Sequence, residues 1–147
     1  MTHSTPEFRI EDDPAPSDIE TLLQELAEFN RSVAGHEGYR PLACFVRDPD
    51  GTIAGGISAS THHGWLSINL VWLREDVRGQ GLGSRMLAAV EQEAIRRGCT
   101  RAHLDTHEFQ APGFYAKHGY EVFGELPDFP TGYRRFFMTK QLARPRN

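Results

Sequence analysis

The chain has 147 residues, of which 39% are hydrophobic, and this is the size of one globular domain with a single core. Its formal net charge of −4 disfavours general binding to nucleic acid, which needs clustered Lys and Arg. Both cysteines lie outside any metal-binding spacing and fit a reducing compartment. No segment is apolar enough to cross a membrane, so we expect a cytoplasmic protein without membrane or nucleic-acid partners.

The first half of the sequence predicts a helix followed by an antiparallel meander. After an extended start over residues 7–10, Ser17 or Asp18 is predicted to cap a helix whose apolar positions recur at helical spacing. Three strands are predicted next, over residues 42–46, 52–60 and 65–73, joined by turns at residues 48–51 and 62–64.

A glycine-rich loop after the third strand is the most informative segment. It reads Arg78-Gly79-Gln80-Gly81-Leu82-Gly83-Ser84. Glycines allow a tight turn and close approach to a ligand, and the first N–H groups of a helix attract anions. The loop therefore predicts a phosphate or pyrophosphate site, with a simple turn into the helix as the alternative. Its spacing matches neither the P-loop nor the dinucleotide fingerprint.

The second half of the sequence predicts a mixed arrangement of strands and helices. A helix over residues 81–97 carries an apolar stripe, an i,i+4 pair between Glu93 and Arg97, and a stop at Gly98. A strand, a short helix and two strands follow over residues 100–106, 112–118, 120–126 and 133–141. Four late aromatic residues are expected to complete the core or form a dimer surface: Phe129, Tyr133, Phe136 and Phe137.

Two motifs in this order resemble the GNAT superfamily of N-acetyltransferases. Residues 78–83 match its acyl-CoA pyrophosphate motif, in which Arg or Gln is followed after two residues by Gly-x-Gly or Gly-x-Ala, and residues 114–120 resemble its aromatic-Tyr-x-Lys-x-Gly-aromatic segment. The resemblance covers about residues 7–141 and implies one domain over residues 1–147. The implied fold is α/β, with a twisted, mixed but mostly antiparallel sheet of roughly six to seven strands flanked by about four helices.

The resemblance implies acetyl-CoA as the acetyl donor and no metal. It implies that the main chain at the end of the third strand pairs with pantetheine as an added strand, and that Gln110 replaces the usual asparagine contact. The implied cofactor-binding residues are Val71, Trp72, Leu73, Arg78, Gly79, Gln80, Gly81, Leu82, Gly83, Ser84 and Gln110. Tyr115 is implied as the general acid that protonates the leaving thiolate, whereas the residues alone favour a core aromatic beside Phe114.

The acceptor side of the site is expected to use polar residues of two strands. Strand alternation predicts that Asn69 points the same way as Ser67 and Val71. The acceptor-side candidates are Asn69, Asp105, His107 and Glu108.

The pattern around Asp105 has several interpretations. Alternation places His103, Asp105 and His107 on one face of their strand, and the C-terminal end of such a strand is the usual place for ligands. Contact with the acceptor or relay of its proton is one interpretation. The alternatives are a buried Asp105 paired with a neighbouring histidine, or a metal bound by His-x-Asp-x-His.

The predicted reaction is direct transfer of an acetyl group from acetyl-CoA to a primary amine in a ternary complex. The acidic balance favours a cationic small-molecule acceptor, and the protein is expected to be a monomer or homodimer. One alternative is a non-catalytic acyl-CoA binding or sensing module, which would not need Tyr115. The other is acetylation of a protein lysine or N-terminus.

Overall fold

The computed structural model describes residues 4–35 and 38–142. The described residues form two compact units, one over residues 4–35 and one over residues 38–142. None of the helices in the described ranges is long and apolar enough to cross a membrane.

The first unit contains helix α1, Pro16–Ala34. Ala15 precedes the helix without a side-chain cap, and Pro16 takes the first helical position, where its fixed φ suits the first turn. Ser17 and Asp18 therefore lie inside the helix, and the prediction that one of them caps it is wrong. Residues 7–10 belong to no strand.

The second unit contains a mixed sheet with two helices. Its elements are β1 Arg40–Arg47, β2 Ile53–His62, β3 Trp65–Leu73, α2 Leu82–Arg96, β4 Arg101–His107, α3 Pro112–Lys117, β5 Glu121–Leu126 and β6 Arg135–Gln141. The described strands form one six-stranded sheet in the order β1-β2-β3-β4-β6-β5. Among these described strands, only β3 and β4 pair in parallel. The predicted mixed, mostly antiparallel GNAT-like fold is confirmed, with three α-helices in the described ranges instead of about four.

The core lies where helix α2 packs on the sheet. The predicted apolar stripe of α2 buries Met86, Leu87, Val90 and Ala94. Alternation on β4 is also confirmed, because Ala102, Leu104 and Thr106 are buried whereas His103 and Asp105 are exposed. The i,i+4 pair of α2 forms, with Arg97 Nε 3.6 Å from a Glu93 carboxylate oxygen.

Strand β3 contains a one-residue bulge at Asn69. Ile57 of β2 lies opposite Val71, but Ala59 lies opposite Ile68, so Asn69 is the extra residue. Ile57 and Ala59 share the buried face, and Ile68 and Val71 therefore share it too. The prediction that Asn69 points the same way as Val71 is wrong, because the bulge interrupts the two-residue alternation.

Candidate active site

A cleft opens where the parallel strands separate. Pairing between β3 and β4 ends at Ile68 and Leu104, although β3 continues to Leu73 and β4 to His107. The resulting cleft has a volume of about 530 Å³. Its lining comprises Ile68, Asn69, Leu70, Val71, Trp72, Leu73, Arg78, Gly83, Leu104, Asp105, Thr106, Gln110, Ala111, Phe114 and Tyr115.

The edge of β3 inside the cleft has no neighbouring strand over residues 69–73. Backbone groups at a free strand edge can pair with an extended ligand, as in strand addition. Val71, Trp72 and Leu73 line the cleft as a binding role requires, but the Leu73 carbonyl already accepts a hydrogen bond of 2.8 Å from Arg78 Nε. Any ligand chain would therefore use the other backbone groups of this edge.

The glycine loop presents unpartnered N–H groups to one end of this cleft. Gly79 and Gly81 both have positive φ, at 78° and 77°, and Gly81 directly precedes α2. The first intrahelical bond joins Arg85 N–H to the Gly81 carbonyl, and no described residue accepts a hydrogen bond from the backbone N–H groups of residues 79–84. This arrangement favours an anion, because those donors and the helix dipole act together.

Two side-chain contacts order the beginning of α2. Ser84 Oγ lies 2.9 Å from His118 Nε2, which joins the first turn of α2 to the end of α3. At Gly83 a Cβ would lie 3.4 Å from the Phe114 ring, within van der Waals contact, so α2 and α3 lie close together at this position. Of the other predicted loop residues, Gln80 lies in the bend before α2 and Leu82 is the first residue of that helix.

Gln110 organises the turn that follows β4. Its Oε1 accepts hydrogen bonds from the His107 backbone N–H at 2.8 Å and the Thr106 hydroxyl at 3.1 Å. Because the oxygen is occupied, the side-chain amide nitrogen is the group left for a ligand in the cleft.

Tyr115 lies on α3 in the wall of the cleft. It is 8% exposed, and its ring packs edge-on against Phe114 and Tyr120 with centroids 5.3 and 6.0 Å away. Burial raises its pKa above the value near 10 of a free tyrosine, since desolvation disfavours the phenolate. No described residue forms a hydrogen bond with its hydroxyl. The group therefore remains a protonated donor at neutral pH.

The two acceptor-side carboxylates are paired with arginines of the β6 region. Asp105 Oδ2 lies 2.8 Å from Arg135 Nε, and Glu108 Oε2 lies 2.8 Å from Arg134 Nε. The partner of Asp105 is thus an arginine rather than the histidine of the alternative interpretation, and its side chain is 41% exposed rather than buried. Both negative charges are compensated, which weakens the argument that they attract a cationic acceptor.

His107 follows the cleft-lining residue Thr106 and is held by a backbone contact. Its Nδ1 lies 2.9 Å from the Phe129 carbonyl oxygen. A carbonyl only accepts, so Nδ1 carries a proton and Nε2 of the neutral ring keeps its lone pair. His103 instead makes a 2.6 Å contact with Ser67. Within residues 4–35 and 38–142, no group of three or more His, Cys, Asp or Glu residues is arranged to hold a metal.

An aromatic cluster beside His107 was not predicted from the sequence as part of the site. Phe109, Phe129 and Tyr133 are each between 43% and 54% exposed, and together with His107 they form consecutive ring contacts. The expectation that Phe129 and Tyr133 complete the core is wrong. Spacing alone carries no signal for this cluster, because His107 and Phe109 lie at the end of β4 and in the turn after it, whereas Phe129 and Tyr133 lie between β5 and β6.

Comparison with known proteins decides the family. Residues 5–120 match the model of the Acetyltransferase (GNAT) family. The chain belongs to this family. This GNAT protein is an acetyltransferase, and its family uses acetyl-CoA.

This GNAT chain is similar to other acetyltransferases over most of its length. It is 38% identical over 107 residues to the blasticidin-S acetyltransferase of Streptomyces morookaense, which covers 72% of this chain and 76% of the relative. It is 31% identical over 130 residues to acetyltransferase Atu2258 of Agrobacterium fabrum, covering 88% and 95%. An acetyltransferase crystal structure from Agrobacterium tumefaciens superposes with a TM-score of 0.88 at 29% identity, over 92% of this chain and 99% of that one.

Proposed function

We propose that this protein transfers an acetyl group from acetyl-CoA to a primary amine of a small molecule. The observation that carries the proposal is one cleft that combines a free strand edge, the anion-binding start of α2 and the Tyr115 side chain. The family match runs from the first unit into the second, which supports a single domain over residues 1–147.

The donor is bound along the cleft. The N–H groups of residues 79–84 bind the pyrophosphate, with Ser84 and the Arg78 guanidinium nearby. The pantetheine arm then extends along the edge of β3 that faces β4, where residues 69–73 have no described strand paired on that side, and the Gln110 amide nitrogen contacts it from the other side. This path leads the thioester towards Tyr115.

The chemical step is direct attack of the amine on the thioester. The nitrogen lone pair forms a bond to the carbonyl carbon, the carbon–sulfur bond breaks, and the sulfur leaves with its electron pair. Tyr115 donates its phenolic proton to that thiolate. Because burial raises the pKa of Tyr115, the phenol keeps its proton throughout the physiological pH range until the thiolate forms.

The amine must lose a proton, and His107 is the proposed acceptor. Its Nδ1 proton is committed to the Phe129 carbonyl, so Nε2 of the neutral ring is available as a base. Asn69, at the bulge, orients the amine or a water molecule by hydrogen bonding. Asp105 and Glu108 then act on the site through their arginine partners rather than as bases.

The acceptor class is a small amine in the cytoplasm. The blasticidin-S acetyltransferase among the relatives supports a small-molecule antibiotic or similar compound as acceptor. The free cysteines Cys44 and Cys99 support a reducing compartment.

The proposal is tested by measuring free-thiol release from acetyl-CoA with a panel of primary amines and identifying the products by mass spectrometry. The panel includes blasticidin S, aminoglycosides, polyamines and a lysine peptide. Calorimetric titration with acetyl-CoA is run on the same preparation. Acetylation of a small amine supports the proposal; acetylation of the peptide alone refutes the small-molecule acceptor. Binding without turnover of any amine favours a sensing module, and absence of binding refutes the role of acetyl-CoA.

A further inference from the structure

We propose that the aromatic cluster at the rim of the cleft binds a planar ring that carries the acceptor amine. The inference rests on the proposed function, because it names the chemical class of that acceptor. The platform is defined as Phe109, His107 and Phe129, with Tyr133 at its side.

The platform is an ordered stack of rings. His107 lies between two phenylalanines, with centroid distances of 5.1 Å to Phe109 and 5.8 Å to Phe129 and interplanar angles of 8° and 20°. The Arg135 guanidinium continues the stack, 4.7 Å from the centroid of Phe129. Arg135 is itself held by Asp105, and the His107 ring by the Phe129 carbonyl, so the planes of the stack are held by polar contacts.

The stack is open at Phe109. One face of this ring is covered by His107 and Tyr133 contacts it at 75°, yet Phe109 is 54% exposed. A half-exposed ring in a turn contributes little to folding, but its face can receive another planar group in parallel.

Phe109 lies in a turn between two residues that line the cleft. The turn closes through a hydrogen bond of 2.9 Å from Gln110 N–H to the His107 carbonyl. Residues on both flanks of this turn, Thr106 and Gln110, line the cleft. A ring stacked on the open face of Phe109 therefore lies near the cleft, with the Phe109 ring between it and the proposed base His107.

Charge offers less selectivity at this rim than the rings do. Asp105 and Glu108 are paired with Arg135 and Arg134. Stacking of a planar ring, in contrast, strengthens binding over equal apolar area by roughly 2- to 12-fold. We therefore expect discrimination by ring planarity.

The test compares benzylamine with cyclohexylmethylamine, which present an amine on a planar and a puckered six-membered ring. We expect kcat/KM for acetylation to favour benzylamine by about 5-fold. Phe109→Leu, which retains apolar volume but removes the ring face, is expected to reduce that ratio to about 1. Phe123→Leu, the same change at another exposed phenylalanine, on β5 outside the platform, leaves the ratio unchanged.

Separate measurements distinguish failure of the platform from failure of the proposed function. Both amines are titrated by NMR without acetyl-CoA, so the platform is tested even if the donor does not bind, and calorimetry measures donor binding alone. Equal binding of the two amines, or a preference that survives Phe109→Leu, refutes the platform. Absence of acetyl-CoA binding together with a benzylamine preference that Phe109→Leu removes supports the platform and refutes the proposed function.

Discussion

Removal of the Tyr115 hydroxyl tests the central chemical assignment. Tyr115→Phe keeps the ring that packs against Phe114 and Tyr120, and the lost hydroxyl has no hydrogen-bond partner among the described residues. No protein hydrogen bond is broken, so we expect the free energy of unfolding to change by less than about 1 kcal/mol. An unfolding free energy close to that of the wild type would exclude loss of the folded structure as the cause of any loss of rate.

The expected loss of rate follows from the role of a general acid. General acid catalysis contributes roughly 10²- to 10⁴-fold, so kcat should fall by at least about 10²-fold, equivalent to about 2.7 kcal/mol of activation free energy. Tyr115 is 8% exposed and lies in the wall of the cleft rather than at the glycine loop. The dissociation constant of acetyl-CoA should therefore change by less than about 3-fold.

The direction of the pKa shift adds a pH criterion. Burial raises the pKa of Tyr115 above that of a free tyrosine, so the phenol stays protonated in neutral and mildly alkaline solution. The ratio of wild-type to variant kcat should therefore be constant from about pH 6 to about pH 9 and decrease only at higher pH.

The assay measures kcat from the release of free thiol at saturating acetyl-CoA. Calorimetry gives the dissociation constant of acetyl-CoA, and urea denaturation gives the free energy of unfolding, for the same protein preparation. Tyr39→Phe is the matched control, because Tyr39 is 59% exposed and lies outside the cleft. A variant that retains more than about half of the wild-type kcat would show that another group protonates the thiolate. A loss of rate accompanied by equal loss of acetyl-CoA binding would show that Tyr115 only shapes the cleft.

Three further predictions concern the glycine loop and two polar networks. At Gly81 φ is 77°, so Gly81→Ala should strain the backbone by about 1 kcal/mol and weaken acetyl-CoA binding as measured by calorimetry. The effect would come from backbone strain alone, because no described residue other than its chain neighbours has an atom within 4 Å of the added Cβ. Tyr120→Phe removes a 2.8 Å hydrogen bond to the largely buried Glu91 and should lower the free energy of unfolding in urea by about 1–3 kcal/mol. The Arg74 guanidinium lowers the pKa of Asp76 in the folded protein. The ion pair therefore stabilises the fold at pH values above the unfolded pKa of 3.8, and this stabilisation is lost as the pH falls through the folded pKa. Arg74→Met should make the melting temperature fall less steeply as the pH is lowered.

Each of these predictions has a control or a contradictory result. Gly98→Ala, at the opposite end of α2 with φ of 91°, should cost similar stability without affecting acetyl-CoA binding. For Tyr120→Phe, an unchanged unfolding midpoint would contradict the network with Glu91. An Arg74→Met variant whose melting temperature still falls as steeply in acid as the wild type would show that other carboxylates control this limb.

The local part of the site could be predicted from the sequence. The glycines at positions 79 and 81 indicate a turn with positive φ. The apolar spacing of Met86, Leu87 and Val90 predicts the buried face of the following helix. These signals act within a few residues, where backbone sterics and helical periodicity determine conformation. The anion-binding start of α2 was therefore recognisable without any knowledge of the partners of the loop.

The sequence by itself determined the strand and helix order, the glycine loop and the family, because these depend on short-range pattern. Only the tertiary structure decided the bulge at Asn69, which follows from pairing with β2, and the separation of β3 from β4 beyond Ile68. It alone joined Asp105 to Arg135, 30 residues later in the chain. Such contacts form when segments that are distant in sequence are brought together in the folded sheet. Hydrophobic periodicity is a local signal and does not predict which polar side chains from distant segments come into contact.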